Sequence, residues 1–230
     1  MVVKLLKGVF LMDKIIPSFA SSLFDGSKDP IGDITELGID SLLDDGVFKD
    51  LPIVSMLVGV KNTYQNIHDR NLLKQTLTFI KQFNSGSINQ EKLNKYRDML
   101  NTDSKKAEKE LGRVLIILNS TIDMEKSQML ANLYKSYINE KINWNQFCEF
   151  AEIIKMLFLN DFNIIDLIYK HQITDTSGIE IYPIDRLTSL GIVNTVMKTI
   201  MISSNTSSKS DKYVNLTTIG QKFYECVIES

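Results

Sequence analysis

The chain has 230 residues, of which 43% are apolar and 23% charged, with a formal net charge of −2. These values are typical of a soluble globular protein and allow one large domain or two small ones. They exclude broad electrostatic attraction to nucleic acid, which needs a basic face, although the 26 Lys and Arg residues could form such a face locally. Cys148 and Cys226 form neither a disulfide framework nor a CxxC metal pair, and are interpreted as buried side chains in a reducing compartment.

Residues 1–30 begin with apolar residues but match neither a membrane span nor a secretion signal. Their run from Val9 to Met12 is broken by Asp13 and Lys14, and a bilayer span needs about 20 apolar residues. We therefore expect a cytoplasmic protein. Residues 1–24 can form an amphipathic helix that either docks on the protein body or lies on an anionic membrane surface. Their few lysines favour docking.

Helical patterns fill the next part of the chain. Residues 31–45 predict a helix that Gly46 ends, and Pro52 suits the first turn of the following helix. Apolar residues at helical spacing over 53–83 predict one long helix that can bend near Gly59. We expect its strongly apolar first third to be buried in protein, because it is too short to cross a bilayer.

Three helix starts are marked by capping residues. Ser87 with Gln90 predicts a capping box, while Asp123 and Asn143 are typical N-caps. Apolar stripes behind these starts predict four helices, over 88–101, 103–120, 124–139 and 144–159. The stripe of the last one includes Phe158. Short connections predict that successive helices pack side by side, as a helical bundle or an irregular helical array.

The C-terminal part predicts a different organisation. After a helix that ends near His171, Pro183 opens a short helix that Gly191 ends. The β-branched residues from Ile192 to Ile202 predict a strand, and its partner follows a polar tip. Thr217 is expected to cap a closing helix. A helix, a hairpin and a closing helix follow one another in this order in a winged-helix module.

Catalytic and metal-binding chemistry has few candidates in this sequence. His68 lies among polar residues and His171 ends a helix, where an imidazolium favours the negative end of the dipole, so both are interpreted as structural. The sequence contains no zinc-ligand spacing and no phosphate-loop, dinucleotide, hydrolase or metalloprotease motif. Acidic residues are interpreted as solvated surface, namely Asp40, Asp44, Asp45 and Asp50, Glu108 with Glu110, and Glu149 with Glu152. We therefore expect no catalytic residue, metal or cofactor.

Contact with nucleic acid or a partner has four candidate residues. The outward positions of the short helix before the hairpin are predicted to be Asp185, Arg186, Thr188 and Ser189. One arginine balanced by one aspartate is a poor set for reading bases. The hairpin adds only weak phosphate-binding capacity. The candidates are Arg186, Lys198, Lys209 and Lys212, and we favour packing or protein contact over DNA reading.

Two segments of the tail form a motif: Leu187, Leu190, Gly191, Ile192 and Val193, then Tyr213, Leu216, Thr217, Gly220 and Phe223. In this motif the chain resembles bacterial and prophage proteins associated with abortive infection and other phage-defence loci. Those proteins have a variable helical body and a tail of the form L-x-x-L-G-[IL]-[IV] followed by Y-x-L-T-x-x-G-x-x-F. Here the tyrosine-to-leucine spacing is one residue longer, and the tail motif also occurs in transcription regulators. The resemblance implies a role in phage defence and supplies no catalytic residue.

These observations predict a mainly α protein. We expect a helical body over 1–160, within which 1–30 is an amphipathic segment, and a winged-helix-like α+β module over 161–230. The leading functional hypothesis is a non-enzymatic interaction protein of a bacterium or prophage, in phage defence or superinfection control, with a protein partner or self-association. The alternatives are a DNA-binding transcriptional regulator and a membrane-associated effector that acts through the helix of residues 1–24 and the segment from Leu51 to Val60.

Overall fold

A computed structural model of the chain describes residues 14–25, 51–59, 67–86, 88–198 and 212–229. These residues form ten α-helices and a two-stranded antiparallel sheet near the C-terminus, so the prediction of a mainly α protein is confirmed. The chain divides into two compact units, Met1–Asn143 and Trp144–Ser230. The predicted helix over 31–45, the acidic residues Asp40, Asp44, Asp45 and Asp50, and Lys209 lie outside the described residues.

The first unit contains six described helices. They are α1 (residues 14–24), α2 (Pro52–Gly59), α3 (Ile67–Asn84), α4 (Gln90–Thr102), α5 (Ser104–Ser120) and α6 (Met124–Ile138). Helix α3 buries Leu73, Leu77 and Ile80 at helical spacing. It packs along α6, where Leu133 and Tyr134 are fully buried. This pair of helices forms the centre of the unit.

Helices α1 and α2 cover one side of this centre. Phe19 of α1 is fully buried, with its ring centroid 5.9 Å from that of Phe79. The Ser22 hydroxyl accepts the backbone N–H of Ile53 at 2.9 Å, and Ile53 is itself fully buried. Docking on the body is therefore confirmed for residues 14–24. Pro52 begins α2 as predicted.

Buried polar side chains join α3 to its neighbours. Asn71 and Gln75 donate to the carbonyl oxygens of Thr121 and Ile122 at 2.7 and 2.6 Å, which fixes the connection between α5 and α6. At the other end of α3, the Lys135 ammonium donates to the Ser85 carbonyl at 3.1 Å. Burial lowers the pKa of Lys135. These bonds satisfy backbone carbonyls at helix ends, where intrahelical partners are missing.

The helix starts differ in part from the prediction. Helix α4 begins at Gln90, because the Asn89 side chain accepts the N–H of Lys92 at 3.0 Å. The predicted capping box with Gln90 three residues into the helix is therefore wrong, since Asn is as good a cap as Ser. Asp123 occupies the N-cap position of α6 but makes no cap hydrogen bond.

The second unit contains the remaining helices and both strands. They are α7 (Trp144–Met156), α8 (Leu159–Tyr169), α9 (Ile181–Ser189), β1 (Val193–Met197), β2 (Lys212–Leu216) and α10 (Thr218–Val227). The ring of Phe223 on α10 lies 5.4 Å from Phe150 of α7 and 6.4 Å from Phe162 of α8. The expected domain boundary at residue 160 falls in the first turn of α8, inside this unit.

The two strands pair in one register, from Val193 opposite Leu216 to Met197 opposite Lys212. A third short segment adds to β2 on its other side, because Asp175 bridges to Tyr213. The N–H of Val214 donates to the Thr174 carbonyl at 2.9 Å. The hairpin thus carries a third, bridge-length segment from the connection between α8 and α9.

The start of α10 is joined to the end of the α9 turn. Gly191 has a φ of +72°, a backbone conformation that glycine adopts readily. The Thr217 hydroxyl accepts the N–H of Gly220 at 2.9 Å, which confirms the predicted cap, and donates to the Gly191 carbonyl at 2.6 Å. A Cβ on Gly220 would lie 2.0 Å from the Ile192 carbonyl oxygen. Only glycine allows this approach.

Candidate functional site

The candidate residue Arg186 is held by a buried carboxylate. Its Nε and Nη2 donate to the two carboxylate oxygens of Asp161 at 2.8 and 2.7 Å, and Asp161 is fully buried. Asp161 also accepts the backbone N–H of Phe158 at 2.7 Å. Arg186 is therefore half-buried rather than projecting outward as predicted, because a buried carboxylate needs a charged partner.

Two exposed aromatic rings lie against this ion pair. The Arg186 Cζ is 4.6 Å from the ring centroid of Phe158 and 5.6 Å from that of Tyr182. Phe158 is nevertheless 64% exposed and Tyr182 58% exposed. We call these three residues, with the neighbouring exposed Leu159 and Ile181, the aromatic–arginine surface. Both rings lie against an arginine that is itself held by two hydrogen bonds.

The local sequence at this surface breaks the usual preferences of helix starts. Phe158 occupies the N-cap of α8 and Glu180 that of α9, and neither side chain makes a cap hydrogen bond. Polar caps at such positions typically add about 1 kcal/mol of stability. Glu180 instead accepts a hydrogen bond from the Tyr182 side chain, which raises the pKa of Tyr182. Residues that violate a local rule in this way occur mainly at functional sites.

The candidate residue Lys198 lies on the outer face of the hairpin. Its ammonium is 2.6 Å from the Asp175 carboxylate and 5.2 Å from the ring centroid of Tyr213. This hydrogen bond, with that from the Ser177 N–H, lowers the pKa of Asp175 to about 2. Val196 lies opposite Tyr213 and is also exposed. The charge of Lys198 is therefore paired within the unit.

The remaining candidates do not give the second unit an excess of basic charge. Lys212 is half-buried, and its backbone N–H donates to the Thr176 hydroxyl at 2.9 Å. The sequence of the second unit contains ten Asp and Glu against seven Lys and Arg. The structure does not bring Arg186 and Lys198 together in one described contact. A unit with this charge attracts cations rather than phosphates.

His171 and Glu225 line an open cleft of about 470 Å³ between α8, β2 and α10. His171 has a φ of 56° and lies two positions after Tyr169, the last residue of α8, rather than at the helix end as predicted. Tyr169, in the same cleft, stacks on Tyr224 with ring centroids 3.8 Å apart. A histidine and a carboxylate can exchange protons, but the lining includes no serine, threonine, cysteine or lysine nucleophile. His68 is exposed on α3.

Glu110 was predicted to be solvated, and this prediction is wrong. It is 3% exposed and accepts hydrogen bonds from the hydroxyls of Tyr96 at 2.5 Å and Tyr137 at 3.1 Å. Because Tyr96 donates to the carboxylate, Tyr134 donates to Tyr96, at 2.7 Å. Burial raises the pKa of both Tyr96 and Tyr134. The signal was present in the sequence, since Glu110 is in phase with the buried Val114 and Ile117.

The aromatic–arginine surface was also missed. The sequence places Phe158 in the buried stripe of a helix over 144–159. In the structure α7 ends at Met156, and Phe158 is the N-cap residue of α8. Asp161 at the third position of α8 was the available signal, because an acidic residue there marks a helix start. Its pairing with Arg186 spans 25 residues and leaves no periodic pattern.

Among the described residues, no group of three or more His, Cys, Asp or Glu side chains could hold a metal ion. Nor is any helix in the described ranges both long and apolar enough to cross a bilayer. No protein-family model, curated protein or solved structure matches the chain.

Proposed function

We propose that the protein is a non-enzymatic interaction protein whose second unit binds a protein partner through the aromatic–arginine surface. One observation carries this proposal: two aromatic side chains, each more than half exposed, lie against a doubly hydrogen-bonded arginine. Tyr and Arg are enriched among residues that dominate binding energy, and rigid rings lose little entropy on binding. The tail motif supports phage defence or superinfection control in a bacterium or prophage as the process.

A winged-helix-like arrangement of the second unit is part of this proposal. Its support is the order α9, β1, β2, α10, with the bridge from Asp175 to Tyr213 beside the hairpin. This arrangement also favours a DNA-binding regulator as the second candidate function. The paired charges of Arg186 and Lys198 favour protein contact instead.

The test combines a phage challenge with partner capture. Cells that express the full chain are compared with cells that express Phe158→Ala/Tyr182→Ala, and each protein is recovered after infection. We expect protection from phage and one specific protein partner for the unmodified chain, with both lost in the double variant. Removal of a dominant contact residue typically costs about 2 kcal/mol or more, hence roughly 30-fold in affinity.

Tyr213→Ala is the matched control, because Tyr213 is an equally exposed tyrosine on the hairpin of the same unit. It should retain protection and the partner. The fluorescence of Trp144, the single tryptophan of the chain, reports whether each variant keeps its second unit folded. Equal protection and capture by folded double variant and unmodified chain would contradict the proposal.

A further inference from the structure

Two exposed carboxylates lie beside Tyr182, because Glu180 is two residues before it and Asp185 is three residues after it on α9. Asp185 is exposed on α9 next to Arg186 and makes no ion pair with any described residue. Glu180 is exposed at the start of α9 and is engaged by the hydroxyl of Tyr182, a neutral group. Neither is balanced by Arg186, whose charge is bound to Asp161 at 2.7 Å. The rim of the surface is therefore acidic.

Helix N-termini often bind anions through their backbone N–H groups. At the starts of α8 and α9, however, one N–H is already bound and another is missing. The carboxylate of Asp161 already accepts the Phe158 N–H at the start of α8. At the start of α9, Pro183 has no N–H to donate, and the N-cap residue Glu180 carries a negative charge. An anionic ligand would thus meet like charge and few donors.

The exposed rings favour a cation for a separate reason. Arg186 lies against Phe158 and Tyr182, yet more than half of each side chain still faces solvent. A lysine or arginine of a partner can lie against such an exposed ring, whose negative face attracts the cation. The apolar side chains of Leu159 and Ile181, which are 37% and 47% exposed, match apolar neighbours of that cation.

From this combination we infer that the aromatic–arginine surface binds a cationic segment of a partner protein, with a lysine or arginine flanked by apolar residues. The inference rests on the proposed function and specifies the chemistry of the partner. Asp185 and Glu180 supply the charge attraction, and Phe158 and Tyr182 supply the rings. Because the charges are exposed, binding weakens as salt screens them.

The experiment selects peptides from a random displayed library on the immobilised full chain. We expect enriched peptides with a lysine or arginine beside apolar residues. In fluorescence anisotropy, synthetic copies of these peptides should bind about 10-fold more weakly when the basic residue is replaced by glutamine or when the protein carries Asp185→Lys. Glu149→Lys, the same charge reversal at an exposed position of α7, should leave binding unchanged.

The outcomes separate this inference from the proposed function. Peptides that need Phe158 and Tyr182 but are acidic or uncharged, or that tolerate Asp185→Lys, overturn the cationic partner and leave the interaction surface standing. Peptides that bind Phe158→Ala/Tyr182→Ala as well as the unmodified chain, or the absence of any enriched peptide, overturn both.

Discussion

At the scale of single residues, the lack of a side chain at Gly220 determines how α10 packs against the end of the α9 turn. Gly220 lets the first turn of α10 approach the Ile192 carbonyl, and Thr217 fixes the same contact with two hydrogen bonds. The sequence indicated the cap at Thr217, because threonine before a helix is a local signal. It could not indicate the need for Gly220, since the atom that excludes a side chain lies 28 positions earlier in the chain.

Gly220→Ala should destabilise the second unit by about 1–3 kcal/mol. Alanine favours a helix over glycine by about 1 kcal/mol, but its Cβ would lie 2.0 Å from the Ile192 oxygen, and backbone must move to admit it. Urea denaturation followed by Trp144 fluorescence measures the effect. Gln221→Ala, at the next and exposed position, should change stability by less than about 0.5 kcal/mol. Equal midpoints for the two variants would refute this account of Gly220.

At the scale of elements, helices α4, α5 and α6 are connected by a chain of hydroxyl groups that ends on a carboxylate. Tyr134 of α6 donates to Tyr96 of α4, which donates to Glu110 of α5. The ring of Tyr96 packs edge-on against that of Tyr134 at 6.0 Å. The existence of these helices was predictable from their apolar spacing. The polar chain between them was not, because each member is on a different helix.

Tyr96→Phe should cost about 1–3 kcal/mol, because it removes the buried hydrogen bonds of the Tyr96 hydroxyl to Glu110 and to Tyr134. Tyr137→Phe is the matched control. It removes the two long bonds to Glu110, from a half-buried position, and should cost about 0.5–1.5 kcal/mol. Hydrogen exchange of amides in α4–α6 measures both variants. A larger effect of Tyr137→Phe would contradict the proposed order of hydrogen-bond donors, which runs from Tyr134 through Tyr96 to Glu110.

The same network gives a dependence on pH. The folded state raises the pKa of Tyr96 and Tyr134 above the ordinary value of 10.0, so it holds both phenols neutral. Their contribution is present below pH 10 and is lost as rising pH ionises tyrosines in the unfolded chain. Exchange protection in α4–α6 should accordingly fall above pH 10, and less steeply in Tyr96→Phe.

At the scale of the whole molecule, composition and periodicity predicted the helical class, the two-stranded hairpin and most helix bounds. The division after Asn143 depends on which distant residues pack together, as Phe150 does with Phe223, and no local pattern records that. The candidate site was predicted least well. The sequence offers Arg186 as a candidate, but its partner Asp161 and the rings beside it are joined only in three dimensions.

The charge of the second unit gives a prediction about nucleic acid. With ten acidic and seven basic residues, and with Arg186 and Lys198 in ion pairs, we expect no binding to duplex DNA at low salt. Fluorescence anisotropy of labelled duplexes with the full chain measures this. Salt-sensitive binding that weakens in Lys198→Met and Lys209→Met would instead support the regulator.

The contact between Thr217, Gly220 and the Gly191–Ile192 peptide joins the two segments of the tail motif. They are separated in sequence by the hairpin, yet they build one joint. Its few residues describe how the tail is fastened and leave open what the tail binds.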